Sequence, residues 1–245
     1  MIGVYAFTFD NWKEMNYPLD LWLEWNCSLF DEVALYYIGD REKLWDGLQN
    51  ILCAKLRIDG EDGTKDEAIK KHGDNTYAYY KKKAQEILNT EWKFMLDIDE
   101  FIDARPDESI LDPKKVYGIW MHVLYGNVNY EINPYGYSPV AIGNVGWGRL
   151  VHYDNDATII GDGHKLRVPI NGDILFDVYH TTLLRNGQEI ARRTWLWQQG
   201  IPFINIQDYK KYWYGMEVIR VSDDRLPKIL RDNKMRFQFF RGDFE

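Results

Sequence analysis

Four short candidate strands, each closed by acidic residues and separated by segments of helical spacing, constrain this chain more than any other feature. Residues 2–9, IGVYAFTF, are apolar, β-branched and aromatic without a break and stop at Asp10, as a strand covered on both faces does. Residues 33–38 are closed by Gly39 and Asp40, and residues 55–59 end on Asp59. Residues 92–98 form the fourth run and deliver Asp97, Asp99 and Glu100 at their end. Between the runs, Pro18 introduces Leu19, Trp22, Leu23 and Phe30 on one helical face, and Leu44, Leu48 and Leu52 recur near helical spacing. Asp74, Asn75 and Thr76 offer caps to a third helix carrying Tyr77, Tyr80, Ala84, Ile87 and Leu88. Residues 60–71 are polar, charged and Gly-containing, which predicts an exposed, mobile loop.

The resulting order, β-α-β-α-β-α-β, predicts an α/β fold: right-handed crossovers build an open, Rossmann-like, mostly parallel sheet flanked by helices. Ligands of such sheets bind at the carboxyl ends of the strands, where Asp10, Asp40, Asp59 and Asp97 all fall. Beyond Tyr125 the helical periodicity fades into Gly, Pro, Asn and aromatic residues, with short apolar runs at 173–179 and 194–197. A more irregular, β-rich C-terminal half is expected, and residues 234–244 form a basic-aromatic tail that either packs or stays mobile. No linker divides the chain, so residues 1–245 read as one domain, with 1–103 as its ligand-binding half and 104–245 as its second half and C-terminal extension.

Composition narrows the function. A chain of 245 residues that is 45% hydrophobic suits one compact domain. A net charge of -8 gives no positive field to gather phosphates, so nucleic acid is not an expected partner. Cys27 and Cys53 have neither metal-site spacing nor a disulfide framework and read as buried thiols in a cytoplasmic protein. The first residues lack the flanks of a signal peptide, and no stretch approaches the roughly 20 apolar residues of a spanning helix, so no integral membrane segment is expected. Aromatic residues make up 16% of the chain, more than its core requires, so some should line a site or an interface.

The sharpest motif is Asp97-Ile98-Asp99. Strict alternation would put the two carboxylates on opposite faces, but a chain that turns at a strand end can bring them together. Hard divalent ions such as Mg²⁺ and Mn²⁺ favour carboxylate oxygens and keep water and substrate phosphate in their remaining positions. The alternative is that acidic residues at strand ends are simply solvated there.

Residues 92–102, WKFMLDIDEFI, resemble the apolar-DxDEF signature of glycosyltransferases with the GT-A fold, in particular family-2-like and family-92-like enzymes. LDLWLEW at 19–25 resembles their first helix and VALYYIGD at 33–40 their second strand. The resemblance covers residues 1–103 and is diffuse beyond. It implies a GT-A-like fold and a metal-dependent transfer of sugar from a nucleoside-diphosphate sugar, a UDP-sugar first, to a carbohydrate or other hydroxyl acceptor. It implies Asp97 and Asp99 as ligands of Mn²⁺ or Mg²⁺, with Asp99 the stronger, and Phe9, Asp10, Asp40 and Asp97 facing the nucleotide. Lys81 or Lys82 would approach the diphosphate, although a lysine run is also what a solvated face looks like. Glu100 and Asp103 belong to the same string and are equally read as bonding nearby backbone.

In the second half, His180 with Arg185 resembles the H-x-x-x-x-R region that supplies a third metal ligand in these enzymes, against a buried histidine satisfied by a carbonyl. Arg185, Arg192 and Arg193 would neutralise phosphate. Asp162, between glycines, is the candidate catalytic base for an inverting reaction, with Glu131 and Asp177 as rivals and a simple turn as the alternative. The aromatic-glycine string over 135–148 would offer an acceptor platform or pack structurally. Two other classes remain: a nucleotidyltransferase, disfavoured because FTFDNWKEM after the first strand has no glycine, and a non-enzymatic carbohydrate-binding protein.

Overall fold

The computed structural model describes residues 1–125, 127–134, 151–153, 159–160, 165–166, 174–184 and 216–237. Its N-terminal half is β1 (Ile2–Phe9), α1 (Leu19–Leu29), β2 (Glu32–Ile38), α2 (Arg41–Leu48), β3 (Leu56–Glu61), α3 (Lys65–His72), α4 (Thr76–Ile87) and β4 (Trp92–Met95). β4, β1, β2 and β3 lie side by side in that order and are mutually parallel, with Gly3 opposite Glu32 and Ile2 opposite Trp92. β1 is buried along its whole length because strands flank it on both sides and helices cover both faces. Ile2, Val4 and Ala6 join α1 and α2 through Leu19, Trp22, Leu23, Leu44 and Leu48. Tyr5, Phe7 and Phe9 face α4 through Ala78, Tyr80, Ala84 and Leu88. Each fully buried Leu or Ile of these layers contributes about 1.5–3 kcal/mol relative to leaving it exposed.

The C-terminal half is a more irregular mixed sheet built from β5 (Glu100–Phe101), β6 (Val116–Tyr125), β7 (Asn127–Pro134), β8 (Val151–Tyr153), β11 (Ile174–Leu183) and β12 (Met216–Arg220). β8 runs antiparallel to both β4 and β6 and so joins the two halves into one sheet, while β9 (Ile159–Ile160) and β10 (Lys165–Leu166) form a separate antiparallel pair. β11 is parallel to β6 and antiparallel to β5. α5 (Lys228–Asp232) and the turn after it close the described chain, and Phe237 packs edge-on against Phe101 in the core. Within the tail expected at 234–244, residues 234–237 form a short 3-10 turn in which Phe237 is buried and Met235 is 72% exposed. The apolar run at 194–197 and the aromatic-glycine string at 135–148 lie outside the described residues.

Three expectations are corrected. Residues 60–71 are not a loop: they finish β3 and form most of α3, whose first turn is closed by a capping box in which Thr64 and Glu67 each accept from the other's backbone N–H. The Thr64-x-x-Glu67 spacing carries that signal. Leu52 does not belong to the helical face of Leu44 and Leu48, because α2 ends at Leu48 and Leu52 is 98% exposed. Cys27 and Cys53 are not thiols but a disulfide, with Cα atoms 6.1 Å apart, joining the last turns of α1 to the segment before β3. The pairing removes the support that free thiols lent to a reducing compartment. Among the described residues no helix is long and apolar enough to cross a membrane.

The disulfide closes a loop across a sequence separation of 26, and a closure of that size stabilises by about 3 kcal/mol. Cys53→Ser is expected to lower the urea-unfolding free energy by roughly that amount, and the native wild-type protein to give no reaction with a thiol reagent until it is reduced. A full thiol titre without reductant would contradict the pairing.

Candidate active site

The site forms where β4 ends. Leu96 still donates to the carbonyl of Tyr5, but the strand stops at Met95, short of the expected Ile98, and the chain then reverses. The Glu100 N–H donates to the Asp97 carbonyl at 3.0 Å, and the Asp97 N–H donates to Glu100 Oε2 at 2.8 Å. A four-residue turn thus replaces the alternation that would have sent Asp97 and Asp99 to opposite faces. Ile98 anchors it in the core, and Glu100 is fully buried.

β11 meets this turn directly. His180 stands opposite Glu100 in the β5–β11 register, and Thr181 donates its N–H at 2.8 Å and its hydroxyl at 2.9 Å to the Asp99 carbonyl. His180 Nε2 consequently lies 3.4 Å from Asp99 Oδ1 and 4.0 Å from Glu100 Oε1. Two residues singled out from distant parts of the sequence are neighbours, with the imidazole 17% exposed and the Asp99 side chain 4%.

Lys81 enters from α4. Its ammonium is 2.7 Å from Asp97 Oδ1 and its side chain only 1% exposed, whereas the Asp97 side chain is 22% exposed. Lys82 is exposed and Lys83 pairs with Glu86 on the surface, so the lysine run divides between core and solvent.

At the ends of β1 and β2, Phe9 is buried edge-on against Phe7, Tyr77 and Tyr80, with Lys65 Nζ 5.8 Å from its ring centre. Asp10 is half-buried and crowds Gly39, whose φ of +145° and lack of a side chain permit the approach; a Cβ there would stand 2.3 Å from that of Asp10. Asp40 caps α2, accepting from the Glu42 N–H at 2.9 Å. Burial first, then the charges of Asp10 and Asp40, push the Tyr37 hydroxyl up to about 12. Asp59 is exposed beside Arg41 at 3.2 Å. Asp162, Arg185, Arg192 and Arg193 lie outside the described residues.

Glu131 and Asp177, the rival bases, flank a residue that sequence reasoning passed over. His122 is 5% exposed, stacks on Tyr179 with ring centres 4.7 Å apart, and presents Nδ1 to Glu131 Oε2 and Nε2 to Asp177 Oδ1, the latter at 2.9 Å. Two carboxylates facing both ring nitrogens require two donors, hence an imidazolium. Burial acts to lower its pKa, but the bonds to Asp177 and then Glu131 outweigh that and hold it above the ordinary value. The bond to His122 keeps the Asp177 carboxyl below its own, despite partial burial, which makes Asp177 a weak base. The signal in the sequence was a single polar residue inside the apolar run IWMHVLY.

No protein-family model and no curated protein matches the sequence. Among solved structures, S. aureus TarS residues 1–349 is similar at 12% identity and a TM-score of 0.40, over 80% of this chain and 63% of that one. The galactosyltransferase LgtC, in complex with donor and acceptor sugar analogues, is similar at 14% identity and 0.35, over 62% of this chain and 58% of that one. The Q189E active-site mutant of LgtC aligns at 14% identity and 0.32, over 49% and 46%. In each case the chain spans less than two thirds of the solved structure's length.

The His122 cluster has a pH signature. A histidine whose pKa is raised on folding contributes fully below its unfolded value, about 6.5, and loses that contribution as pH rises through the folded value. Asp177 does the reverse, contributing above about pH 4 and losing the contribution as pH falls through its depressed value. The difference in thermal midpoint between wild type and His122→Gln should therefore be largest between about pH 4 and 6.5 and shrink on either side. A difference that grows toward pH 9 would contradict the imidazolium.

Proposed function

We propose that this chain is a glycosyltransferase that takes a sugar from a nucleoside-diphosphate donor, a UDP-sugar first, and passes it to a hydroxyl acceptor. The observation that carries the reading is the approach of His180 to Asp99 at 3.4 Å, at the carboxyl end of a parallel strand. An anionic oxygen and an imidazole nitrogen at that position suit Mn²⁺ or Mg²⁺, with the imidazole favouring Mn²⁺. Among the described residues no group of three or more His, Cys, Asp or Glu gathers closely enough to enclose an ion. The described residues thus offer such an ion two ligands, and water and diphosphate commonly supply others.

A divalent ion bound there offsets the charge of the departing diphosphate. The chain's own residues do the rest. Phe9, Asp10 and Asp40, at the ends of β1 and β2, receive the nucleoside in the 1–103 half. The acceptor hydroxyl, held by the 104–245 half, attacks the anomeric carbon as the bond from that carbon to the diphosphate oxygen breaks. In an inverting reaction the hydroxyl proton passes to a carboxylate, for which Asp162 is the candidate.

UDP at a hundredfold excess over its Kd should stabilise the protein by about 2.7 kcal/mol, visible as a rise in melting temperature that requires Mn²⁺ and disappears with chelator. Asp99→Asn and His180→Ala are each expected to weaken that response by at least about tenfold in metal concentration while melting normally without ligand. Incubation with UDP-sugars and no acceptor should release UDP slowly. Binding of free sugar with no consumption of any nucleotide sugar would instead make the protein a lectin.

A further inference from the structure

β11 reaches the turn after β4 with little regular backbone pairing to hold it there. Its antiparallel ladder with β5 is two residues long, Tyr179 opposite Phe101 and His180 opposite Glu100. Its parallel ladder with β6 is longer but shifts register between Ile174 and Phe176 and again between His180 and Leu183, so the regular stretch stops at His180 itself. A strand that slips by one residue turns every side chain to the opposite face. A slip here would carry the imidazole of His180 away from Asp99, which it meets at 3.4 Å. We propose that His122 is a positioning residue for the cation site: by clamping Asp177 and Tyr179, on the other side of β11, it sets the strand so that His180 stands on Asp99. The role rests on the reading of Asp99 and His180 as metal ligands given above.

His122 lies opposite Tyr179 in the β6–β11 register and stacks on its ring, with centres 4.7 Å apart. Its Nε2–H donates to Asp177 Oδ1 at 2.9 Å and its Nδ1–H to Glu131 Oε2. The two N–H groups of one rigid ring are fixed relative to each other, so Glu131, 6% exposed on β7, sets the direction in which His122 holds Asp177. Hydrogen bonds between charged partners are the stronger kind. Asp177 and Tyr179 are alternate residues of β11, and His180 follows them on the opposite face. The Tyr179 hydroxyl in turn donates to the Arg225 carbonyl at 2.5 Å. Beyond His180, Thr181 is pinned to the Asp99 carbonyl by two bonds. His180 is therefore held from both directions along the strand, and loss of the His122 clamp frees one of them while the other keeps β11 in the sheet. Groups that orient a metal ligand without touching the ion typically cost about ten- to a hundredfold in metal affinity when removed.

Asp177 gives the cleanest test, because its side chain is 61% exposed and its truncation opens no cavity. Mn²⁺ is titrated alone into the full chain, with the free ion followed by electron paramagnetic resonance. Asp177→Ala and His122→Gln should each lose at least about tenfold in Mn²⁺ affinity. Asp177→Asn, whose amide oxygen still accepts from the His122 Nε2–H, should stay within about threefold of wild type. A purely structural histidine predicts instead that the folded variants are less stable yet bind Mn²⁺ as wild type does. A second readout needs no metal: the ring resonances of His180 in the ¹⁵N-histidine-labelled protein, identified by their absence from His180→Ala, should move in Asp177→Ala and stay in place in Asp177→Asn. The role is overturned if Asp177→Ala keeps the wild-type Mn²⁺ affinity, if Asp177→Asn loses as much as Asp177→Ala, or if the His180 resonances do not move. Should His122→Gln fail to fold, the two Asp177 variants decide alone. A wild type that binds no Mn²⁺, with His180 resonances that still move in Asp177→Ala only, would sustain the clamp and defeat the metal part of the functional reading.

Discussion

Thr181 gives both its backbone N–H and its hydroxyl to one acceptor, the carbonyl of Asp99, across a sequence separation of 82. That pair of hydrogen bonds fixes where β11 lies relative to the turn after β4, and the geometry of the site follows from it. With Thr181 pinned, alternation along the strand sends the preceding side chain, His180, to the same side as its register partner Glu100 and within reach of Asp99. The turn itself depends on Glu100, which satisfies the Asp97 N–H with its side chain after the β4 ladder has ended. Without that bond a part-buried donor would lose this partner at the point where the chain must reverse.

The two halves of the sheet are held by different means. The parallel layer is held by burial, with β1 closed to water on every side. The mixed sheet is held in part by charge, and the Glu131–His122–Asp177 bridge ties β7 to β6 and β6 to β11. Since β11 also carries His180, the stability of that bridge bears on the geometry at Asp99. Asp177 and Tyr179, which engage His122, alternate with His180 along the strand, so the two clusters occupy opposite sides of β11 and support it without competing.

Much of the first half was legible in sequence. The run IGVYAFTF marks β1 to the residue, and of the helical face read for α4, Tyr80 and Ala84 are buried while Tyr77 and Ile87 are partly so. Spacing also contained what composition concealed: Lys81 falls at helical intervals with Tyr77, Ala84 and Leu88, on the core side of α4, although the lysine run looks like a solvated surface. α3 was hidden because its apolar content is slight and its evidence is one capping box. The disulfide could not be inferred from two cysteines, since their meeting depends on how α1 lies against the segment before β3. His180 was found through a motif resemblance, but nothing in its local sequence states that β11 runs parallel to β6 and antiparallel to β5. That pairing is tertiary information, and the distance from His180 to Asp99 follows from it alone.

The central claim is that the turn after β4 and the strand β11 build one cation site. Pulsed electron paramagnetic resonance of Mn²⁺ bound to the wild-type protein tests it most directly, because a directly coordinated imidazole imposes nitrogen modulation on the electron-spin echo. The account predicts that modulation in wild type, its loss in His180→Ala, and its persistence in Asp97→Asn. Bound Mn²⁺ with no nitrogen modulation, or with modulation unchanged in His180→Ala, would contradict it.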